Sequence, residues 1–336
     1  MIMKHPDRTL MFQEARDAAK AVENLLRQNE DVLNRAATRL RTHPPAVVMT
    51  CARGSSDNAA TYGKYLIETR LGIPTASMGL SVTSIYDAPV AIPNSLCLAI
   101  SQSGRSPDLL AAVAAYKRGG AFVLALVNDA ESPLAALADE VVALSAGSEH
   151  SVAATKSFIA SLAAVAALVA AWTGDRALQA ALNVLPEALR RSFDQDWPEG
   201  LDTLTRARNL FVLGRGLSLG IAQEAALKLK ETCALHAEAF SAAEVRHGPM
   251  TIVGKGFPVL AFATSDAAGE GVRATSAEFG ERLAHTLVMA TPAPTDIALE
   301  PILMIQRFYR LANALSVARG LDPDAPIYLK KVTQTL

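Results

Sequence analysis

Two short segments hold most of the hydroxyls that could grip an anion. "ARGSSDN" (Ala52–Asn58) contains Ser55 and Ser56, and "SQSGRS" contains Ser101, Gln102, Ser103 and Ser106. Each follows an apolar run, "AVVMT" or "SLCLAI", and each precedes a helix-like stretch. Backbone N–H groups at a helix N-terminus are unpaired and lie at the positive end of the helix dipole, so such turns bind phosphate. Serine hydroxyls add donors there without adding charge. A lone Ser in this place is more often a helix cap. Five hydroxyls on two strand-end loops favour a phosphate. Neither GxGxxG nor GxxxxGK[ST] occurs, which argues against a dinucleotide or a P-loop triphosphate.

A second polar run is "EAALKLKETCALHAEAFSAAEVRHGPM" (Glu224–Met250). Lys228 and Glu231, three apart, share one helix face, a spacing that is also ordinary surface pairing. Glu238, Glu244 and His247 follow closely. His247 precedes Gly248-Pro249, a helix end where a titratable imidazole can face a cleft, whereas His236 carries no such signal. In "GSEHSVAATKSF" (Gly147–Phe158), Ser151 and Thr155 are candidate caps of the next helix. Lys156 is there either a phosphate counter-charge or a solvated lysine. By composition alone Lys330 and Lys331 are exposed terminal lysines.

The elements that must position these residues follow from pattern. Apolar positions at helical spacing over 9–41 predict one or two leading helices, which "RTHPP" breaks. Beyond them short apolar runs, polar turns and helical stretches alternate, as in a parallel sheet covered on both faces. "GDRALQAALNVLPEALRRSFDQDWPEG" reads as a helical linker, after which the plan begins again with "NLFVLGRGLSLG". "ARGSS" matches "GRGLS", and the next loops fall at the same distance, 47 residues on (56 to 103, and 218 to 265). The chain is therefore a duplicated doubly wound α/β protein. The second copy has Ala263-Thr264-Ser265-Asp266 where the first has "SQSG", and an acidic residue there repels phosphate.

Composition narrows the class. In 336 residues, 32 Lys+Arg balance 33 Asp+Glu, and no basic run supports nucleic acid or an anionic membrane as partner. Cys51, Cys97 and Cys233 lack metal-ligand spacing and suit free, buried thiols of a reducing compartment. The charged N-terminus has no apolar core, and the apolar stretch Phe158–Trp172 is too short to span a bilayer. A cytoplasmic location is expected.

These motifs resemble a known family. "SQSGRS", "SVAATKSF", "LGRG…EAALKLKE", "HAEAFSAAEVRHGPM" and "LKKVT" look like the sugar isomerase (SIS) fold over residues 45–336, specifically the isomerase half of glucosamine-6-phosphate synthase and its stand-alone relatives. The resemblance implies two tandem SIS subdomains, each a flavodoxin-like parallel sheet flanked by helices. The expected division is 1–44 for leading helices, 45–185 and 201–336 for the SIS domains, and 186–200 for the end of the linker.

Carried over by position, Ser101, Gln102, Ser103 and Ser106 hold the sugar phosphate with Ser56 nearby. Val152 offers backbone contacts to the sugar. Glu231 moves a proton between C1 and C2, supported by Lys228. His247 opens the ring from the partner subunit of a homodimer, and Lys331 or Lys330 forms a Schiff base. No metal or other cofactor is implied. The chain starts "MIMKHP" without the nucleophilic cysteine of a glutaminase domain, so no glutaminase activity is expected. Arg105 replaces the family's acidic residue in "SQSGET" and adds a cation to the loop. The expected activity is glucosamine-6-phosphate deamination. The alternatives are a fructosamine-6-phosphate deglycase, a galactosamine-6-phosphate deaminase, or a non-catalytic sugar-phosphate sensor.

Overall fold

A computed structural model describes residues 5–291, 295–329 and 331. Two leading helices, α1 (Leu10–Gln28) and α2 (Glu30–Thr42), precede the first sheet, with the break falling at Asn29. Strands β1 (Val47–Cys51), β2 (Thr75–Ser77), β3 (Ser95–Ser101), β4 (Phe122–Val127) and β5 (Glu140–Ala143) then alternate with α3 (Ser55–Leu71), α4 (Ser81–Ser84), α5 (Pro107–Arg118) and α6 (Pro133–Leu137). All strand pairings are parallel, in the order β2-β1-β3-β4-β5. That is the flavodoxin order, with its switch point between β1 and β3.

Three helices follow: α7 (Lys156–Thr173), α8 (Arg176–Phe193) and α9 (Pro198–Thr205). The remaining elements are β6 (Asn209–Gly214), α10 (Leu219–Cys233), β7 (His236–Ser241), β8 (Pro258–Phe262), α11 (Ala267–Glu281), β9 (His285–Met289) and α12 (Glu300–Ala318). The second sheet is also parallel, in the order β7-β6-β8-β9. It repeats the first plan one strand short. The chain is thus α/β with two doubly wound sheets.

The continuous apolar runs are buried on both faces, as parallel strands require. All seven residues of β3 are buried, as are all five of β8. On one face of the first sheet, Cys97, Ala99, Val123 and Ala125 pack on Leu109, Val113 and Tyr116 of α5. On the second, Phe211, Leu213, Val259 and Ala261 pack with Val272 and Phe279 of α11. Each such large apolar side chain stabilises the fold by about 1.5–3 kcal/mol. The apolar stretch expected to be a buried helix is α7. The helix runs to 18 residues, longer than the apolar run expected to be too short for a bilayer. Among the described residues it is the one helix long and apolar enough to cross a membrane, and its side chains lie almost wholly inside the protein. The three cysteines are free and buried. Cys51 and Cys97, on adjacent strands, bring their sulfurs to 3.7 Å.

By contact density the chain forms two compact units, each discontinuous in sequence. Residues 20–148 and 157–184 build the first, around β1–β5. Residues up to 19, 149–156 and 185–331 build the second, around β6–β9.

Candidate functional site

In the first unit the two serine loops occupy the switch point. One runs from the end of β1 into α3 and the other from the end of β3 into α5. Ser101 is buried, and its hydroxyl accepts the Gly104 N–H at 3.0 Å. Gly104 has φ +63°, and a Cβ there would meet the Ser132 hydroxyl at 2.3 Å, so the loop's tight return needs glycine. The Ser103 hydroxyl accepts the Arg105 N–H at 3.4 Å. Gln102 fixes its carbonyl on the Asp129 N–H. Ser106 occupies the N-cap position of α5, yet its side chain makes no capping hydrogen bond. Ser56 lies inside the first turn of α3 rather than at its cap. The hydroxyls most readily explained as caps therefore do not act as caps.

Two arginines flank these loops. Arg53, before α3, grips Asp108 with Nε at 2.9 Å and a terminal nitrogen at 2.8 Å from Oδ2. Asp108 is only 2% exposed, and its other oxygen accepts the Leu109 N–H. This pair ties the two switch-point loops together and offsets an acid at the start of α5. Sequence reading passed over both residues. Arg105 pairs with Asp129 at 2.8 Å, and that guanidinium holds the Asp129 carboxyl below its ordinary range. The cation expected to strengthen phosphate binding is thus largely spent on a neighbouring aspartate.

The corresponding loops of the second unit are closed by the protein's own groups. Ser218 donates to the Phe262 carbonyl at 2.9 Å, and the Asp266 carboxylate caps α11 through the Gly269 N–H. Glu300, buried at the start of α12, accepts both the N–H and the hydroxyl of Ser265. Beyond Asp266, a second acid therefore disfavours an anion in this copy. An internal carboxylate already occupies the donors.

The second unit instead carries a carboxylate–ammonium cluster on α10. Lys228 is 1% exposed, with Nζ at 2.6 Å from Glu231 Oε2 and 3.3 Å from Glu224 Oε1. The Tyr309 hydroxyl of α12 donates to Glu224 at 3.0 Å. The Lys228–Glu231 spacing is therefore no surface pair. Burial pulls the Lys228 ammonium down, but Glu224 and Glu231 outweigh it and hold its pKa above the ordinary value. Burial, then Glu224, with Glu149 and Glu231 adding, pushes the Tyr309 phenol well up. Glu231 is the one carboxylate of the pair that reaches solvent, at 22% exposure.

The 149–156 segment belongs to the same unit. Glu149, rather than Ser151 or Thr155, leads the chain into α7, accepting the Thr155 N–H at 2.8 Å. The Thr155 hydroxyl is buried without a hydrogen-bond partner among the described residues, and Lys156 is buried, not solvated. Val152 gives its N–H to the Asp324 carbonyl at 3.1 Å. Lys331 is not a loose terminal lysine. Its Nζ donates to the Ser151 carbonyl at 2.6 Å and lies 3.5 Å from Glu149 Oε2. Lys330 falls outside the described residues. His247 closes a single 3-10 turn, Glu244–His247, and is exposed, its imidazole without a hydrogen bond among the described residues. The structure brings Lys228 to Glu231 and Lys331 to the Val152 loop, but gives His247 no contact with either.

A flavodoxin-like sheet with hydroxyl-lined switch-point loops, followed by a shortened copy bearing a buried lysine–glutamate cluster, defines a duplicated, doubly wound α/β protein. The SIS domain profile matches residues 47–171 and again 203–307, and the chain belongs to the SIS family. A glutamine–fructose-6-phosphate aminotransferase (isomerizing) of Methanothermobacter thermautotrophicus is 32% identical over 340 residues, covering 96% of this chain and 56% of that protein. The chain thus spans about half the length of the curated relatives it matches. A candidate phosphosugar isomerase of Silicibacter pomeroyi is 43% identical, with a TM-score of 0.90 over 94% of this chain and all of that one. The glucosamine-6-phosphate deaminase of Thermotoga maritima shares the fold, with a TM-score of 0.79 at 22% identity over 97% of this chain and 100% of that one.

Proposed function

We propose that the protein is an amino-sugar-phosphate deaminase that converts glucosamine 6-phosphate and water to fructose 6-phosphate and ammonia. The observation that carries this reading is the buried Glu224–Lys228–Glu231 cluster, whose one solvent-reaching oxygen-bearing group is the Glu231 carboxylate. A proton shuttle between adjacent carbons needs a carboxylate held in one rotamer within hydrogen-bond reach of both. The lysine fixes that rotamer.

In this mechanism the serine loops hold the 6-phosphate, remote from the reacting carbons, and supply positioning energy. His247, contributed from the partner subunit of a homodimer, assists opening of the pyranose ring. Glu231 removes the proton from C2 and returns it at C1, which leaves an imine at C2. Water adds to that imine, ammonia departs, and the ketone of fructose 6-phosphate remains. Lys331 is read as the amine that forms a Schiff base with the open-chain sugar, with loss of water, and a later addition of water to that imine restores the lysine and the sugar carbonyl. The phosphate loops of a non-catalytic sensor would not require Glu231 to sit on a buried, charged cluster.

The test is ammonia release from glucosamine 6-phosphate, galactosamine 6-phosphate and fructosamine 6-phosphate, side by side. Turnover of the first above the others supports the reading. Turnover confined to another moves the assignment to the epimeric deaminase or the deglycase, and turnover of none sinks it.

A further inference from the structure

We propose that Glu14, on the first helix and outside both matched SIS segments, is the positioning residue of the 149–152 loop and, through it, of Lys331. The proposal rests on the reading of Val152 and Lys331 as sugar-facing groups. Glu14 is 5% exposed, and its two oxygens accept the backbone N–H groups of His150 and Ser151. Hydrogen bonds from backbone N–H to a carboxylate are roughly twice as strong as neutral ones. One side chain therefore fixes the two peptide groups that flank His150, those joining Glu149 to His150 and His150 to Ser151. The next peptide group, which carries the Ser151 carbonyl and the Val152 N–H, starts from the position these two set, and its carbonyl is the acceptor of the Lys331 ammonium at 2.6 Å.

The helix is itself anchored, so Glu14 has a rigid base. Gln306 of α12 donates to the Ala15 carbonyl at 3.1 Å, and the Met11 N–H donates to Asp324 Oδ1 at 2.9 Å. The Asp324 carbonyl takes the Val152 N–H. The loop is thus held to α1 twice, directly by Glu14 and through Asp324. The first link is made by a side chain whose length and two acceptors both matter. Glutamine keeps the length but replaces one acceptor by an NH2 group, which faces a backbone N–H with a second donor.

The experiment uses the full chain and the Glu14→Gln variant. Substrate-free protein is labelled with an amine-reactive reagent, and the rate at Lys331 is read by peptide mass spectrometry against Lys64 and Lys117. The expected result is severalfold faster labelling at Lys331 alone. With glucosamine 6-phosphate, kcat falls about tenfold or more while KM, set by the serine loops, holds. Glu14→Asp, which keeps the charge and loses the reach, falls between. If Glu14→Gln gives no cooperative thermal transition, Glu14→Asp takes its place in both measurements. Unchanged labelling at Lys331 overturns the proposal, as does faster labelling with kcat untouched in an active enzyme. Should the unmodified protein turn over no amino-sugar phosphate, the proposed function fails. The labelling comparison then still decides the role of Glu14.

Discussion

Lys228 Nζ lies 2.6 Å from Glu231 Oε2, with the lysine wholly buried and the glutamate only partly so. The same ammonium is 3.3 Å from Glu224, which also accepts the Tyr309 hydroxyl. A buried cation between two carboxylates keeps its proton, so Lys228 acts as a fixed charge beside Glu231, the base of the proposed mechanism.

Replacing Glu231 by Gln preserves the shape and removes the base. Turnover is expected to fall by at least about 10²-fold, while calorimetric affinity for glucose 6-phosphate stays level. Near-normal turnover in this variant would remove Glu231 from the mechanism.

Lys228→Met strands Glu224 without its cation. Breaking a buried pair from one side costs about 3–5 kcal/mol, so the denaturant midpoint drops sharply. Adding Glu224→Gln to the same chain should recover part of the loss. Equal stability of the single variant and the parent protein would mean that water reaches the cluster.

Gly104→Ala forces a side chain onto a φ of +63° and against Ser132. Strain at such a position is worth on the order of 1–3 kcal/mol. Phosphate binding, followed by titration with inorganic phosphate, should weaken by more than it does in an alanine variant of surface residue Arg118. Full affinity in Gly104→Ala would separate this loop from the anion.

Alkaline stability depends on buried phenols and thiols, among them Tyr116 and Cys233. Burial pushes the Tyr116 phenol up to about 12 from 10.0, and the Cys233 thiol up to about 11 from 9.0. Above the ordinary values the unfolded chain releases protons that the folded one retains. Stability is therefore full below pH 9 and falls between about pH 9 and 12. The Tyr116 hydroxyl is buried without a hydrogen-bond partner among the described residues. Tyr116→Phe is expected to match or exceed the parent in thermal midpoint at pH 7 and to soften the decline above pH 10. A steeper decline in that variant would contradict this account.

Much of the first unit was legible in the sequence because its signals are local. Apolar runs ending in hydroxyl clusters mark β1 and β3 with their loops, and the repeated 47-residue spacing marks the duplication. The SIS pattern in "EAALKLKE" singled out Lys228 and Glu231, but spacing alone could not separate a surface pair from a buried cluster. That depended on Tyr309, far along the chain, closing over Glu224. Arg53 was passed over because its partner Asp108 lies 55 residues away and meets it only when β1 and β3 pair.

The sequence by itself determined the parallel α/β class, the duplication and the residue types able to hold a phosphate, since strand burial and turn chemistry are written in neighbouring residues. Tertiary structure decided which charges are spent and which remain available. Arg105 is committed to Asp129, Glu300 occupies the second copy's donors, and Lys331 is drawn onto the Ser151 carbonyl. Each outcome depends on groups brought together by packing, where burial makes an unpaired charge costly and so selects its partner.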